Sequence, residues 1–182
     1  DLDYINSHYI IMATKKGQVK KTLLEQYSRP RTNGIAAITI REGDELLEAK
    51  LTTGDSQVML ALKSGKSIRF EEEKTRPMGR NASGVRGITL AHENDEVVGM
   101  VAVNDMDSNI LVVSEKGYGN RSSLEDYRIT NRGGKGVKTL NVSEKTGDVV
   151  AIKNVTDEDD LMIINKSGIT IRMEVSDLRV MG

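Results

Sequence analysis

The sequence predicts an all-β, propeller-like fold made of repeated four-stranded blades of about 50 residues each. The first observation is an internal repeat: four similar hairpin-like segments recur, and their glycines are spaced 48, 52 and 51 residues apart. These glycines are Gly17, Gly65, Gly117 and Gly168. The second observation is a strand-forming run beside each glycine, because glycine tolerates the positive φ that a tight hairpin turn requires. The third is that no helical pattern interrupts the repeat.

The third repeat shows the order of elements most clearly. Residues 109–114 form a β-branched run, and Tyr118 to Ser123 provide its return strand. A polar, glycine-rich arc follows over residues 128–136. Residues 137–142 and 149–155 then predict two further strands around an acidic turn. We therefore expect four strands in each repeat.

The chain is expected to form one partial domain over residues 1–182, with about three and a half blades. The approximate blade ranges are 1–52, 53–103, 104–155 and an incomplete 156–182. A second glycine and an acidic turn follow the hairpin in each of the first three repeats, whereas the fourth repeat stops at Gly182. The chain is therefore expected to end inside a repeat, as a fragment would.

The composition excludes several classes of site. The chain has no cysteine, which excludes disulfides and cysteine-based metal centres and fits a reducing, cytoplasmic environment. It has no tryptophan and 3% aromatic residues, which argues against WD repeats and against base stacking on single strands. No apolar run approaches the ~20 residues of a membrane span, and no signal peptide opens the chain. No metal site, cofactor or catalytic set is predicted.

Charge is segregated by position in the repeat, although the formal net charge is only −1. The stretches from the hairpin glycine to the second glycine, here called the basic phase, carry +3, +2 and +2 over residues 18–34, 66–84 and 118–136. The complementary stretches, the acidic phase, carry −2, −4 and −2 over residues 35–64, 85–116 and 137–167. Because equivalent residues of radially arranged blades fall on equivalent surfaces, one rim is expected to be basic and another acidic.

One position in the basic phase is a cation in all four repeats. It lies four residues after the hairpin glycine and is occupied by Lys21, Arg69, Arg121 and Arg172. A row of phosphate contacts would explain this recurrence, since duplex DNA carries one charge per ~1.7 Å of its axis. Such a row would read the shape and bendability of DNA rather than base edges. The alternative is a solvated strand face, on which charges are ordinary.

Several segments, in order, resemble the C-terminal domain of the DNA gyrase A protein and, less closely, that of topoisomerase IV. They cover residues 13–22, 43–47, 76–87, 115–122 and 179–182 within a resemblance that spans 9–182. The resemblance implies a β-pinwheel, a propeller variant in which neighbouring blades exchange strands. It also implies that duplex DNA wraps around the outer rim of a non-catalytic domain.

The resemblance has further implications for the parent protein. The parent would be a bacterial, cytoplasmic and nucleoid-associated type IIA topoisomerase, an isomerase that introduces negative supercoils with the energy of ATP. The partners would be duplex DNA, the rest of gyrase A, and gyrase B in a heterotetramer, with no membrane. Together with the charge pattern, the resemblance predicts the DNA-binding residues Lys20, Lys21, Arg31, Arg69, Arg76, Arg80, Arg121, Arg132, Lys135, Arg172 and Arg179.

A glycine-rich loop in the third repeat is similar to the gyrase A box, which reads Gln-Arg-Arg-Gly-Gly-Lys-Gly in that family. The matching residues are Thr130, Asn131, Arg132, Gly133, Gly134, Lys135 and Gly136, with departures at the first two positions. This box-like loop could hold phosphate through its backbone N–H groups and cations. The alternative is a blade-connecting loop whose glycines let the backbone turn.

The same residues are relevant to other functions. Type II topoisomerases cleave DNA with a tyrosine, but Tyr27 and Tyr127 recur at one position of the repeat, which is typical of packing residues. A topoisomerase IV domain that selects DNA geometry, or a propeller that binds a protein partner through its acidic phase, are the alternatives to a gyrase-type DNA-wrapping domain. Steep loss of affinity with salt would distinguish DNA binding from protein binding.

Overall fold

The computed structural model describes residues 1–164 and 166–180, so Met181 and Gly182, at the end of the last segment that carries the resemblance, lie outside the described residues. Within the described ranges the regular secondary structure is mainly β-strand. The strands are β1 (Tyr9–Thr14), β2 (Gln18–Leu23), β3 (Leu46–Thr52), β4 (Gln57–Leu62), β5 (Lys66–Glu71), β6 (Val85–Arg86), β7 (Val97–Val103), β8 (Asn109–Ser114), β9 (Gly119–Ser123), β10 (Val137–Lys138), β11 (Val149–Val155), β12 (Asp160–Ile164) and β13 (Thr170–Glu174).

The helical elements are short. One α-helix, α1 (Leu2–Ile5), begins at Asp1, whose side chain caps it. A 3₁₀ turn follows each hairpin, and these turns span Leu24–Tyr27, Glu72–Lys74, Leu124–Asp126 and Val175–Asp177. Each repeat therefore contains one 3₁₀ turn, whereas the α-helix of the described residues precedes the first repeat.

The strands form four antiparallel sheets. Their orders are β3-β1-β2-β6, β10-β5-β4-β7, β11-β8-β9 and β12-β13. In the first two sheets, three strands come from one repeat and the fourth, β6 or β10, comes from the next repeat. This exchange of strands between neighbouring blades confirms the all-β, pinwheel-type fold.

The structure corrects the bounds of one strand that the sequence predicts in the third repeat. The return strand is observed as β9, and β11 has the predicted bounds, but only Val137–Lys138 of the predicted strand 137–142 is a strand. That strand pairs with β5 of the preceding repeat, whereas β11 pairs with β8 of its own. The pairing ends early because the N–H groups of Thr139 and Leu140 turn to the carbonyl of Gly65.

Two hairpin glycines explain why the repeat requires glycine at this position. Gly17 and Gly65 have φ values of 95° and 102°. A Cβ on Gly17 would lie 2.7 Å from the carbonyl oxygen of Ile88, and a Cβ on Gly65 would lie 2.4 Å from that of Leu140. The following repeat therefore lies directly against the hairpin turn.

The hydrophobic core lies between the sheets rather than within a single sandwich. Both faces of β4 are buried: Leu60 packs into the cluster shared with β1 and β2, whereas Met59 packs into the cluster shared with β8 and β11. A smaller cluster of Leu111, Val155 and Val175 joins the third sheet to the last 3₁₀ turn. Every junction between repeats thus contains apolar contacts, whereas most side chains of β12 and β13 are exposed.

Candidate nucleic-acid interface

The recurrent cation four residues after the hairpin glycine is buried in the first three repeats. Lys21 is 4% exposed, Arg69 8% and Arg121 6%. A side chain this enclosed cannot reach a phosphate on a DNA backbone. The predicted row of phosphate contacts is therefore wrong at Lys21, Arg69 and Arg121, and so is the alternative of a solvated strand face. We call these three residues the clamp cations.

Within its own hairpin, each clamp cation contacts the residue twelve positions before it. Arg69 Nε donates to Gln57 Oε1 at 2.7 Å, and Arg121 Nε donates to Asn109 Oδ1 at 2.8 Å. Lys21 Nζ lies 4.5 Å from the centre of the Tyr9 ring, in a cation–π contact. The contacts hold each clamp cation over its own β-hairpin, pointing toward the next repeat.

In the second and third repeats, the clamp cation also binds the 3₁₀ turn of the following repeat. Arg69 Nη1 donates to the carbonyl oxygens of Leu124, at 3.1 Å, and Tyr127, at 2.8 Å. Arg121 Nη1 does the same with Val175, at 2.7 Å, and Leu178, at 3.0 Å. Burial lowers the pKa of Arg69 from its ordinary value, against the nearby charge of Glu125. These positions are buried because the next repeat's turn covers them.

The first junction uses an ion pair in place of carbonyl bonds. Lys21 Nζ lies 3.3 Å from Oε2 of Glu72, which is fully buried and occupies the turn position filled by Leu124 in the next repeat. Thr52 Oγ1 also donates to Glu72 Oε2, at 2.7 Å, and Ser56 donates to Oε1. The carboxylate is therefore satisfied by hydrogen bonds as well as by the lysine, as a buried charge must be.

Arg172, the fourth member of the predicted row, differs from the other three because it is exposed. Its Nη2 donates to Oδ2 of Asp160, again twelve residues earlier. This hydrogen bond and the charge of Asp160 raise the pKa of Arg172. Among the described residues no further 3₁₀ turn covers it. Its predicted contact with DNA remains a prediction.

Lys20 is also removed from the predicted surface. Its side chain is 0% exposed, and Nζ donates to the carbonyl oxygen of Ala37 at 2.6 Å and to that of Arg80. Burial, followed by the nearby Arg80 charge, lowers the pKa of Lys20 to about 8. The prediction of a DNA contact at Lys20 is wrong, since its ammonium group lies inside the junction between the first two repeats.

A different cation of the basic phase is exposed in every repeat. It lies two residues after the end of the 3₁₀ turn and is occupied by Arg29, Arg76, Arg128 and Arg179, here called the turn arginines. Arg76, Arg128 and Arg179 form no hydrogen bond or ion pair with the residues that the structure describes, and Arg29 lies 3.8 Å from Glu25. These four guanidinium groups are available to an anion.

Sequence reasoning placed Arg76 and Arg179 among the DNA-binding residues but missed Arg29 and Arg128. A signal for Arg128 was present, because it follows its hairpin glycine by eleven residues, as Arg76 and Arg179 do. Arg29 follows Gly17 by twelve, because the first 3₁₀ turn has four residues where the others have three. The longer turn hid the equivalence.

The box-like loop binds the preceding repeat. The N–H of Gly133 donates to Gly87 O at 2.8 Å, and Thr89 donates from N–H to Gly134 O and from Oγ1 to Gly133 O. Arg132 Nη1 donates to Arg86 O at 2.6 Å. These contacts support the alternative of a blade-connecting loop.

The second repeat has the same arrangement, because Arg80 Nη1 donates to Ala36 O at 2.9 Å and Thr39 Oγ1 donates to Asn81 O at 2.6 Å. Arg80 and Arg132 are half-buried, and these bonds use part of each guanidinium to join repeats. Arg31 and Lys135 are exposed, so their predicted DNA contacts remain open, as do those of Arg80 and Arg132.

The repeated sequence matches a known family. The family model described as DNA gyrase C-terminal domain, beta-propeller, matches residues 8–53, 58–104, 108–156 and 159–182. The chain belongs to the DNA gyrase C-terminal domain family. The DNA gyrase A protein of Staphylococcus aureus strain MRSA252 is 46% identical over 172 residues, which are 94% of this chain and 19% of that relative. The same values hold for strain N315, so the chain spans about a fifth of the length of these relatives.

Solved structures agree on the fold. A structure of the C-terminal domain of DNA topoisomerase IV has a TM-score of 0.90 at 24% identity, covering 96% of this chain and 55% of that one. A DNA gyrase A C-terminal domain gives 0.84 at 24% identity, covering 97% and 59%. The E. coli ParC C-terminal domain gives 0.73 at 17% identity, covering 94% and 71%.

In this gyrase C-terminal domain, acidic residues of the first two repeats bind the hairpin turns. Asp44 Oδ1 accepts from the N–H of Lys16 at 2.9 Å, and Asp95 Oδ1 accepts from that of Ser64 at 3.1 Å. Lys15 forms an ion pair with Glu45 at 3.0 Å. The acidic turns therefore hold the hairpin turns in place, at the opposite end of the hairpins from the turn arginines.

The tyrosines of the gyrase C-terminal domain have packing roles at the two recurrent positions. Tyr127 is 4% exposed, and its hydroxyl contacts Ser122 Oγ at 3.3 Å and Thr139 Oγ1. Tyr27 donates its hydroxyl to Ala37 O at 3.0 Å. No group of three or more metal-ligating side chains is found in the described part of the domain. None of its described helices has the length and apolar character of a membrane span.

Proposed function

We propose that this domain binds duplex DNA along a row of exposed arginines, one at each junction between blades, without reading base sequence. The parent would be a gyrase A protein that works with gyrase B to introduce negative supercoils with the energy of ATP. The domain itself would be non-catalytic and would need no cofactor. The chain's family and its similarity to gyrase A proteins support this proposal.

The observation that carries the proposal is the recurrence of the turn arginines. Arg76, Arg128 and Arg179 occupy the same position relative to the preceding hairpin, and each is exposed with its donors unpaired among the described residues. A guanidinium that recurs in each repeat without a protein partner can bind phosphate through charge-assisted, bidentate hydrogen bonds. Such contacts fix the path of DNA without specifying its sequence, as arginines do around the histone octamer.

A second feature supports phosphate binding at the first junction. An open groove of about 570 Å³ lies between the first two repeats, and Arg29, Arg31 and Arg80 line it together with Glu25. The lining of this groove therefore carries three arginines and one glutamate. Repeated contacts of this kind are needed to bend DNA, because bending a site of 20–30 base pairs by 40–90° costs of order 1–6 kcal/mol.

The experiment compares two sets of charge removals in this chain. Fluorescence anisotropy with a labelled duplex of about 40 base pairs measures affinity for the triple variant R76Q/R128Q/R179Q. The control K16Q/K153Q/K166Q removes the same charge from exposed lysines outside the basic phase. We expect the first variant to lose at least about tenfold in affinity and the slope of log K against log salt to fall by about 2.7, while the control stays within about twofold.

Two results would contradict the proposal. Equal loss in the two variants would show that only the total charge matters, and unchanged affinity in R76Q/R128Q/R179Q would remove the turn arginines from the interface. Wrapping needs a separate measurement on a full-length gyrase A protein that carries this domain. Ligation of nicked plasmid in its presence should change the linking number, and the triple variant should abolish that change.

A further inference from the structure

We propose that the clamp cations are positioning residues, and that each one sets the orientation of the turn arginine of the following repeat. The position of each DNA-binding arginine would then depend on the preceding blade. The inference rests on the proposed function, because it concerns the same arginines. It assigns a function to three buried cations, each of which lies at a junction between repeats. The pairs are Lys21 with Arg76, Arg69 with Arg128, and Arg121 with Arg179.

The junction between the second and third repeats shows the geometry. The guanidinium of Arg69 binds the carbonyl oxygens of Leu124 and Tyr127, just before Arg128. The main chain of Arg69 binds the segment just after Arg128, because its carbonyl accepts the N–H of Thr130 at 2.9 Å and it forms an isolated parallel bridge with Ile129. The backbone is thus bound on both sides of Arg128, whose own side chain remains exposed.

The next junction has the same set of contacts. Arg121 binds the carbonyl oxygens of Val175 and Leu178 before Arg179, and it bridges to Val180 after it. An ion pair from Arg121 Nη2 to Asp157 completes the guanidinium's partners. At both junctions, Nη1 of the clamp cation therefore binds two carbonyl oxygens of the turn region. The side chain of the arginine that follows remains exposed.

The first junction reaches the same arrangement with different side chains. Lys21 binds the carboxylate of Glu72, at the start of the turn that precedes Arg76. The carbonyl of Lys21 accepts the N–H of Met78 at 2.7 Å, and Lys21 bridges to Pro77. The three junctions therefore share contacts on both sides of the exposed arginine, although the chemistry of the clamp changes.

A buried guanidinium with neutral partners is costly unless its donors are satisfied, and here they are satisfied by the backbone beside the turn arginine. Replacing Arg69 with methionine would keep much of the side-chain volume. It would leave the carbonyl oxygens of Leu124 and Tyr127 without this donor, and the segment around Arg128 would gain freedom. A phosphate contact from Arg128 would then require ordering of that segment, which lowers affinity.

A double-mutant cycle separates positioning from general stabilisation. DNA affinity is measured by anisotropy for the wild type, R69M, R128Q and R69M/R128Q, well below the melting temperature of each. We expect R69M to weaken binding several-fold, as R128Q does, and to add less than about twofold in the R128Q background. The salt slope should fall by about 0.9 in all three variants, because one phosphate contact is lost in each.

The matched control uses a clamp cation from another junction. R121M affects the segment around Arg179 and not that around Arg128. The fold-losses of DNA affinity in R121M and R128Q should therefore multiply in R121M/R128Q. Equal effects of R69M with and without Arg128, or the same non-additivity for R121M, would overturn the inference. If R69M does not fold, R69K takes its place in the cycle, since lysine keeps the charge but cannot bond Gln57 and both carbonyls in the same way. Unchanged binding by R128Q would instead be a failure of the proposed function at that residue.

Discussion

The ammonium group of Lys20 donates to the carbonyl oxygen of Ala37 at 2.6 Å, although its side chain is fully buried. No carboxylate of the described residues forms an ion pair with it, and its other bond goes to Arg80 O in the next repeat. Lys20 therefore links two repeats by hydrogen bonds, while burial disfavours the charged form of its side chain. A neutral amine still has two hydrogens, one for each of these carbonyls.

The stability of the domain should depend on pH through Lys20. Its pKa in the fold is about 8, against an ordinary value of 10.5. Between these values the unfolded chain binds more protons than the folded one, so the contribution of Lys20 to stability rises with pH and is constant below about pH 8. Urea unfolding of the wild type and K20M at pH 7, 8, 9 and 10 tests this. Above pH 8, the free energy of unfolding of the wild type should increase relative to that of K20M. A pH-independent difference between the two free energies would contradict the assignment.

Strand exchange should make Gly136 far less replaceable than Gly34. Both have positive φ, at 77° and 79°, but a Cβ on Gly136 would lie 2.4 Å from Ser67 O, whereas a Cβ on Gly34 would meet nothing within 4 Å. We expect G34A to cost about 1–2 kcal/mol from backbone conformation alone. G136A should cost at least about 2 kcal/mol more, because β10 must move away from β5. Urea unfolding measures both, and equal costs would show that the close approach does not matter.

We expect that the Lys21–Glu72 ion pair of the first junction can be replaced by the arginine and leucine found at the second junction. E72L leaves Lys21 buried without its carboxylate, which is expected to cost about 3–5 kcal/mol. The double variant K21R/E72L reproduces the arginine and leucine of the Arg69–Leu124 junction. We expect the double variant to recover at least about 1 kcal/mol relative to the sum of the single changes. Strictly additive free energies of unfolding would show that Lys21 and Glu72 do not act as a pair.

The hydroxyl of Tyr127 should contribute to stability and not to DNA binding. It contacts Ser122 and Thr139 inside the third repeat, so Y127F should cost about 0.5–1.5 kcal/mol. Y118F is the control, since Tyr118 is 40% exposed and its hydroxyl has no hydrogen bond in the described part of the chain. Thermal unfolding and anisotropy with duplex DNA are measured on both. A large loss of DNA affinity in Y127F at a temperature where it is folded would contradict a purely structural role.

Much of the fold could be read from particular residues. The spacing of Gly17, Gly65 and Gly117 placed the hairpins, and the β-branched run at 109–114 became β8 with those bounds. The candidate site was read less well. Arg76 and Arg179 were placed on the surface as expected, but Lys20, Lys21, Arg69 and Arg121 are buried and Arg128 was missed.

The sequence by itself determined which residues of the hairpins are equivalent, because glycine turns and strand-forming runs act locally and recur with the repeat. Lys21, Arg69 and Arg121 are equivalent, and all three are buried at a junction, although their partners differ. Only the tertiary structure decided this burial, because the turn that covers each cation comes from the next repeat, about fifty residues later in the chain. A periodic pattern carries no information about which face a neighbouring blade covers. The clamp cations, which the sequence predicts on the surface, are therefore buried at the junctions between repeats. The turn arginines near them are exposed to solvent.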